Sequence, residues 1–187
     1  MQRLFLDTEF NGFGGQLLSV ALVPEDASES TFYQELEVKE ELHPWVKENV
    51  MPHMRMAPVS FRYYQDRLAD YLWKIGDCQI IADWPDDIRY ICQSFITGPG
   101  MCMNLMHNIG FYLDFGIEYE SKVPHNALYD AIAIREHYIK MGKLSPNVFR
   151  SNYEIKFSYL GKNLSYSIRN IRLYHDFDYF IFVFVDV

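Results

Sequence analysis

The chain has 187 residues, of which 49% are apolar and 22% are charged, and its formal net charge is −8. This length suffices for one domain with a hydrophobic core, and the composition excludes an intrinsically disordered chain. The negative charge weighs against an extensive nucleic-acid-binding surface, because non-specific binding depends on Lys and Arg contacts to phosphates.

The sequence has no features of a membrane or exported protein. No apolar run approaches the roughly 20 residues that cross a bilayer, and the first residues lack a signal-peptide pattern. The three cysteines, Cys78, Cys92 and Cys102, lack the paired spacing of a metal site. We therefore expect a cytoplasmic protein with buried free thiols and no membrane partner.

The predicted elements begin with three short strands, at residues 3–9, 16–23 and 31–37. Their residues are apolar or alternate between apolar and polar, and short turns containing Gly or Pro separate them. Short turns join antiparallel neighbours, so the pattern predicts an antiparallel meander.

Helices and strands alternate in the rest of the chain up to residue 142. Apolar spacing and capping residues predict helices at 43–50, 61–75, 85–95 and 127–141, and strands at 78–82 and 101–106. Gly76 is the expected end of the second helix, and Asn126 is the expected N-cap of the last. The predicted fold class is α/β with a mixed sheet.

Two carboxylates, Asp7 and Glu9, lie at the end of the first apolar run. Side chains two residues apart on a strand point to the same face. Burial of neighbouring carboxylates costs several kcal/mol unless a cation lies between them. The chain contains no other Asp-x-Glu triplet.

A second candidate pair is His125 and Asp130, since only this histidine of six has an Asp five residues later. With Asn126 as the cap, these two residues occupy the positions that meet in a hydrophobic staple. We therefore expect the imidazole to lie beside a carboxylate, where it can act as a general base.

Between these pairs, Asp83, Asp86 and Asp87 follow an apolar strand. Asp83 is placed to cap the next helix and Asp86 to lie in its first turn, so both have structural explanations. Asp87 shares a helical face with Ile91 and Phe95, and a carboxylate on an apolar face requires a partner. We assign Asp87 to the site and keep Asp83 as the alternative.

In this order the residues resemble the three motifs of the DEDDh 3′→5′ exonucleases. Asp7–Gly12 together with Pro124–Leu128 is most similar to the RNase AS-type exoribonucleases. The middle motif, Asp83–Asp87, departs from the usual wording, in which an Asn precedes an aromatic-Asp pair. The resemblance covers residues 1 to about 142, and it implies a ribonuclease H-like exonuclease domain over 1–150.

The resemblance also implies a role for each site residue. Asp7, Glu9, Asp87 and Asp130 would hold two Mg²⁺ or Mn²⁺ ions, with Asp7 contacting both. His125 would be the general base. The implied reaction is the release of nucleoside monophosphates from the 3′ end of a nucleic acid by two-metal hydrolysis.

Substrate contacts are implied for Phe10, Asn11 and Gly12, although a core position is equally expected for Phe10. Trp84 and His107 are further aromatic candidates. Base stacking binds a short single strand without positive charge, so we favour single-stranded RNA, and the nearest group implies adenylate ends. A DNA exonuclease and a catalytically silent nucleic-acid-binding domain are the alternatives, and related enzymes often form homodimers.

Residues 151–187 contain no Ala, Pro, Thr or Met and are rich in aromatic residues. Tyr179–Val185 has a low charge and a high strand propensity. Two interpretations of this tail remain open: an additional strand covered by the core or by a second subunit, and an aberrant extension of the chain. We assign no chemistry to it.

Overall fold

A computed structural model of the chain describes residues 1–142 and the backbone of two later strands. The unit Met1–Lys140 is an α/β structure built on a mixed five-stranded sheet. The strands of this unit are β1 (Gln2–Phe10), β2 (Leu17–Pro24), β3 (Phe32–Glu35), β4 (Cys78–Ala82), β5 (Ile96–Gly98), β6 (Met101–Cys102) and β7 (Ile109–Leu113). All of them except β5 and β6 belong to the five-stranded sheet. The helices of the unit are α1 (Pro44–Asn49), α2 (Phe61–Ile75), α3 (Pro85–Ser94) and α4 (Ala127–Lys140), with a 3-10 turn at Met51–His53.

The strand order of the main sheet is β3-β2-β1-β4-β7. The first three strands in sequence form the predicted antiparallel meander, and β4 and β7 run parallel to β1. The prediction of an α/β fold with a mixed sheet is therefore confirmed. β1 is the central strand; it pairs with β4 over Gln2–Phe5 and with β2 over Leu4–Phe10, so its last residues extend beyond its pairing with β4.

Helices cover both faces of the sheet. Successive side chains of β1 point to opposite faces, so this strand contributes to the core on each side. Leu4 and Leu6 pack in a core with residues of α2 and α3. Phe5 packs in a second core with Ala131 and Ile134 of α4. Burial on both faces explains the continuous apolar run Leu4–Leu6 within this strand.

The predicted helix 61–75 is confirmed at both ends. The Ser60 hydroxyl accepts a hydrogen bond from the Tyr63 amide at 3.3 Å, and this satisfies one of the free amides at the start of α2. Gly76 has φ +78° after the last residue, a conformation that glycine adopts without a steric cost.

The predicted strand at 101–106 is confirmed only for Met101–Cys102 and is wrong for the four residues that follow. Met101–Cys102 pairs with β5 in a separate two-stranded sheet, and β7 occupies the place beside β4. Asn108 directs this pairing, since its amide donates to Asp77 and its carbonyl accepts from the Cys78 amide. The segment that pairs with β4 is therefore Ile109–Leu113, which lies further along the chain than the predicted strand.

The expectation of buried thiols holds for one cysteine. All three cysteines are free, but Cys92 is only partly buried and Cys102 is exposed.

No helix among the described residues is long and apolar enough to cross a membrane. In the unit Met141–Val187, β8 (Tyr153–Tyr159) and β9 (Lys162–Ile168) form an antiparallel hairpin. Tyr179–Val185 lies outside the described residues.

Candidate metal centre

Two groups of carboxylates meet at the end of β1. Asp7, Glu9 and Asp130 form one group, and Asp7, Asp83 and Asp87 form the other. Within each group one oxygen of every residue lies within 4.8 Å of the others, so each group could hold a metal ion. The structure therefore brings together all four acids expected at the site, and Asp7 is common to both groups.

These carboxylates are costly to ionise together. Burial raises the pKa of Asp7 well above its usual value, and repulsion from Asp87, Glu9 and Asp130 raises it further. Burial is the main cause that raises the pKa of Glu9 to about 8, and the negative charges of Asp130 and Asp87 add to it. Oδ2 of Asp7 and Oδ1 of Asp130 are buried without a hydrogen-bond partner among the described residues. Bound cations would offset both the repulsion and the lost hydration.

The raised pKa values predict that the metal-free protein loses stability as the pH increases. Between the usual pKa of Glu9, 4.5, and its folded value of about 8, the folded state retains protons that the unfolded state has released. The melting temperature in EDTA should therefore fall between about pH 5 and pH 8. Mg²⁺ should restore it at the higher pH and have little effect at the lower one.

Thermal melts of the wild type and Glu9→Gln test this prediction. The variant removes one of the titrating groups, so its melting temperature should vary less with pH. A melting temperature in EDTA that increases towards pH 8 would contradict the electrostatic description of the site.

Asp87 faces inward, as predicted, and is 2% exposed. Its Oδ1 accepts hydrogen bonds from the Thr8 amide at 3.1 Å and the Thr8 hydroxyl at 2.5 Å. Burial raises the pKa of Asp87 to about 7 despite these bonds. Asp86, one residue earlier, forms a salt bridge with Arg89, in which Asp86 Oδ1 and Arg89 Nε are 2.7 Å apart. Thr8 thus fixes the Asp87 carboxylate beside β1, a contact that no local pattern in the sequence indicates.

The prediction that Asp83 caps α3 is wrong. The N-cap is Trp84, and no side-chain cap hydrogen bond is made there. Asp83 instead directly follows β4, whose parallel register with β1 pairs Phe5 with Ile81. Two residues beyond this pair are Asp7 and Asp83, so the sheet register explains why these carboxylates meet.

His125 and Asp130 are adjacent, but their direct contact is made by the backbone. The His125 amide donates to Asp130 Oδ2 at 3.0 Å. His125 has φ +63°, a left-handed conformation that is uncommon for a residue other than glycine. Its ring packs edge-on against Trp45 with centroids 4.9 Å apart. Trp45 comes from α1, so local spacing could not identify this contact.

Asn126 caps α4 as predicted. Its Oδ1 accepts from the amides of Leu128 and Tyr129 at 3.2 and 3.3 Å. Its Nδ2 donates to the His53 carbonyl at 2.9 Å and to the Tyr33 hydroxyl at 3.3 Å. Asn126 therefore ties the start of the helix that carries Asp130 to β3 and to the 3-10 turn.

The segment after β1 has structural contacts that limit its substrate role. Phe10 stacks on Tyr90 with centroids 4.8 Å apart and also lines the cleft over the acids. The Asn11 side chain donates to the Glu41 carbonyl and accepts from the His43 amide. The backbone amides of Asn11 and Gly12 also have carbonyl acceptors. The predicted substrate contacts of Asn11 and Gly12 stay predictions, while the Asn11 side chain holds the segment leading to Trp45.

A cleft of about 1050 Å³ lies over the carboxylates, with His125 in its lining. Three aromatic side chains that line it are about half exposed or more: Phe13, Trp45 and Trp84. Exposed rings beside an acidic centre offer stacking surfaces to planar groups of a ligand. His107 is not part of this lining and contacts Trp73 and Asp77 instead.

No model of a known protein family matches the chain, and no curated protein sequence is significantly similar to it. A functional conclusion therefore rests on the geometry and chemistry of the carboxylates, His125 and the cleft.

Proposed function

We propose that this chain is a two-metal-ion 3′→5′ exonuclease that acts on single-stranded RNA. The observation that carries the proposal is the pair of three-carboxylate groups that share Asp7. The unpartnered buried oxygens of Asp7 and Asp130 fit oxygen-preferring cations such as Mg²⁺ or Mn²⁺.

Each site residue has a role in this proposal. Asp7, Glu9 and Asp130 would hold one cation, and Asp7 and Asp87 would hold the other. Cations held in this way would activate the attacking water and neutralise charge on the phosphate and the leaving oxygen. His125, whose ring lines the cleft, accepts the proton of the attacking water at an imidazole nitrogen.

The sheet supports a ribonuclease H-like fold for the unit that carries these residues. Three antiparallel strands precede two strands parallel to β1, and α4 crosses behind β1 and β2. The carboxylates lie at the end of β1, directly after β4 and at the start of two helices.

The cleft supports a single-stranded substrate. Phe13, Trp45 and Trp84 can stack on unpaired bases, and each such contact contributes about 1–3 kcal/mol without positive charge. This mode of binding fits a protein with a net charge of −8. The preference for RNA over DNA, and for adenylate ends, is proposed from the resemblance of Asp7–Gly12 and Pro124–Leu128 to the RNase AS-type enzymes.

Gel analysis of 5′-labelled single-stranded oligomers of each base, in RNA and DNA, tests the proposal. With Mg²⁺ or Mn²⁺ the RNA should shorten from its 3′ end in a ladder, with release of mononucleotides. EDTA should abolish the reaction, and a 3′-phosphate should block it. Faster cleavage of DNA would favour the DNA exonuclease. Binding without cleavage would favour the silent binding domain, and cleavage of a circular strand would contradict an exonuclease.

A further inference from the structure

Asp83 has no established role in the proposed site, yet it lies among the metal-binding candidates. One of its oxygens is within 4.8 Å of oxygens of Asp7 and Asp87. Its Oδ1 is buried and lacks a hydrogen-bond partner among the described residues. Asp7 is 8% exposed, and its Oδ2 is likewise unpartnered. Buried carboxylate oxygens that lie this close together and lack a hydrogen-bond partner favour the binding of a cation.

Tyr119 lies in the loop between β7 and α4 and lines the same cleft as Asp83. Burial raises the pKa of Asp83, and a hydrogen bond from the Tyr119 side chain opposes this effect. Burial raises the pKa of Tyr119, and the negative charges of four neighbouring acids raise it further: Asp7, Asp83, Asp130 and Asp87. Tyr119 therefore lies close enough to Asp83 in the cleft to act on its carboxylate.

We infer that Asp83 is a third carboxylate ligand of the cation held by Asp7 and Asp87, and that Tyr119 is its positioning residue. The middle motif then supplies two carboxylates from one short segment, Asp83 before α3 and Asp87 within it. This inference rests on the proposed function. Its consequence is tighter cation binding, because affinity for a hard cation increases with the number of charged oxygen ligands.

Titration of the full chain with Mn²⁺ alone, followed by electron paramagnetic resonance, measures this affinity and the number of bound ions. Asp83→Asn should weaken one of two sites by about 10–100-fold, and Tyr119→Phe should weaken the same site by about 10-fold. Asp86→Asn is the matched control, since it removes the charge of the residue next to Asp87. The Asp86 carboxylate forms a salt bridge with Arg89. This variant should change the affinity by about twofold or less.

Activity gives a second readout that a purely structural role would not produce. Tyr119→Phe should be slow at limiting Mn²⁺ and recover near wild-type kcat at saturating Mn²⁺, with an unchanged melting temperature in EDTA. Asp83→Ser replaces Asp83→Asn if the latter folds poorly.

The outcomes separate this inference from the proposed function. Wild-type affinity in Asp83→Asn, or an equal loss in Asp86→Asn, would overturn the ligand role of Asp83. Wild-type affinity in Tyr119→Phe would overturn the positioning role. A wild-type chain that binds no Mn²⁺ would overturn the proposed function itself.

Discussion

Replacement of Asp7 by Asn should reduce turnover by at least about 10³-fold and leave the fold intact. Asp7 belongs to both carboxylate groups, so its loss weakens both cation sites together. Asn keeps the size of the side chain but removes a carboxyl group whose pKa is raised by burial and by four neighbouring acids. The metal-free variant should therefore melt at a higher temperature than the wild type at about pH 8.

Rates at saturating Mg²⁺ and thermal melts in EDTA, measured on the same preparations, test this expectation. Asp86→Asn is the control, because it removes a nearby charge that pairs with Arg89 outside the carboxylate groups. It should keep near wild-type turnover. If Asp7→Asn keeps turnover within about tenfold of the wild type, the shared-ligand role of Asp7 is wrong.

His125→Asn should lower kcat by about 10²–10⁴-fold while Mn²⁺ binding stays unchanged. His125 has φ +63°, and Asn tolerates this conformation better than most residues, so the amide contact with Asp130 should persist. The variant then removes the proton acceptor and retains the carboxylates.

His107→Asn is the matched control for this variant, since His107 contacts Trp73 and Asp77 away from the cleft. Its turnover should equal that of the wild type. Weakened Mn²⁺ binding in His125→Asn would show that the loss of activity arises through the metal centre. Unchanged turnover would remove His125 from the mechanism.

The elements with strong local signals were predictable from the sequence. α2 begins after a Ser that caps it and ends at a Gly with positive φ, and both ends agree with the prediction. β4 also has the predicted bounds, Cys78–Ala82. The spacing of Asp7 and Glu9 along one strand face was sufficient to place them together. The inward position of Asp87 followed from its helical spacing to Ile91.

The remaining features depend on contacts between distant segments. β7 is an edge strand of moderate burial, and its position is set by pairing with β4 rather than by its own composition. Asp83 is placed by the register between β1 and β4, which the sequence does not reveal. Trp45 and Tyr119 reach the cleft from separate segments. Neither residue belongs to a motif, so only the folded chain relates them to His125 and Asp83.

Anomalous diffraction from crystals grown with Mn²⁺ locates the bound ions directly. We expect two Mn²⁺ peaks, each coordinated by a carboxylate oxygen of Asp7, with Glu9 and Asp130 on one ion and Asp87 on the other. A single ion that does not contact Asp7, or two ions bound elsewhere, would contradict this expectation.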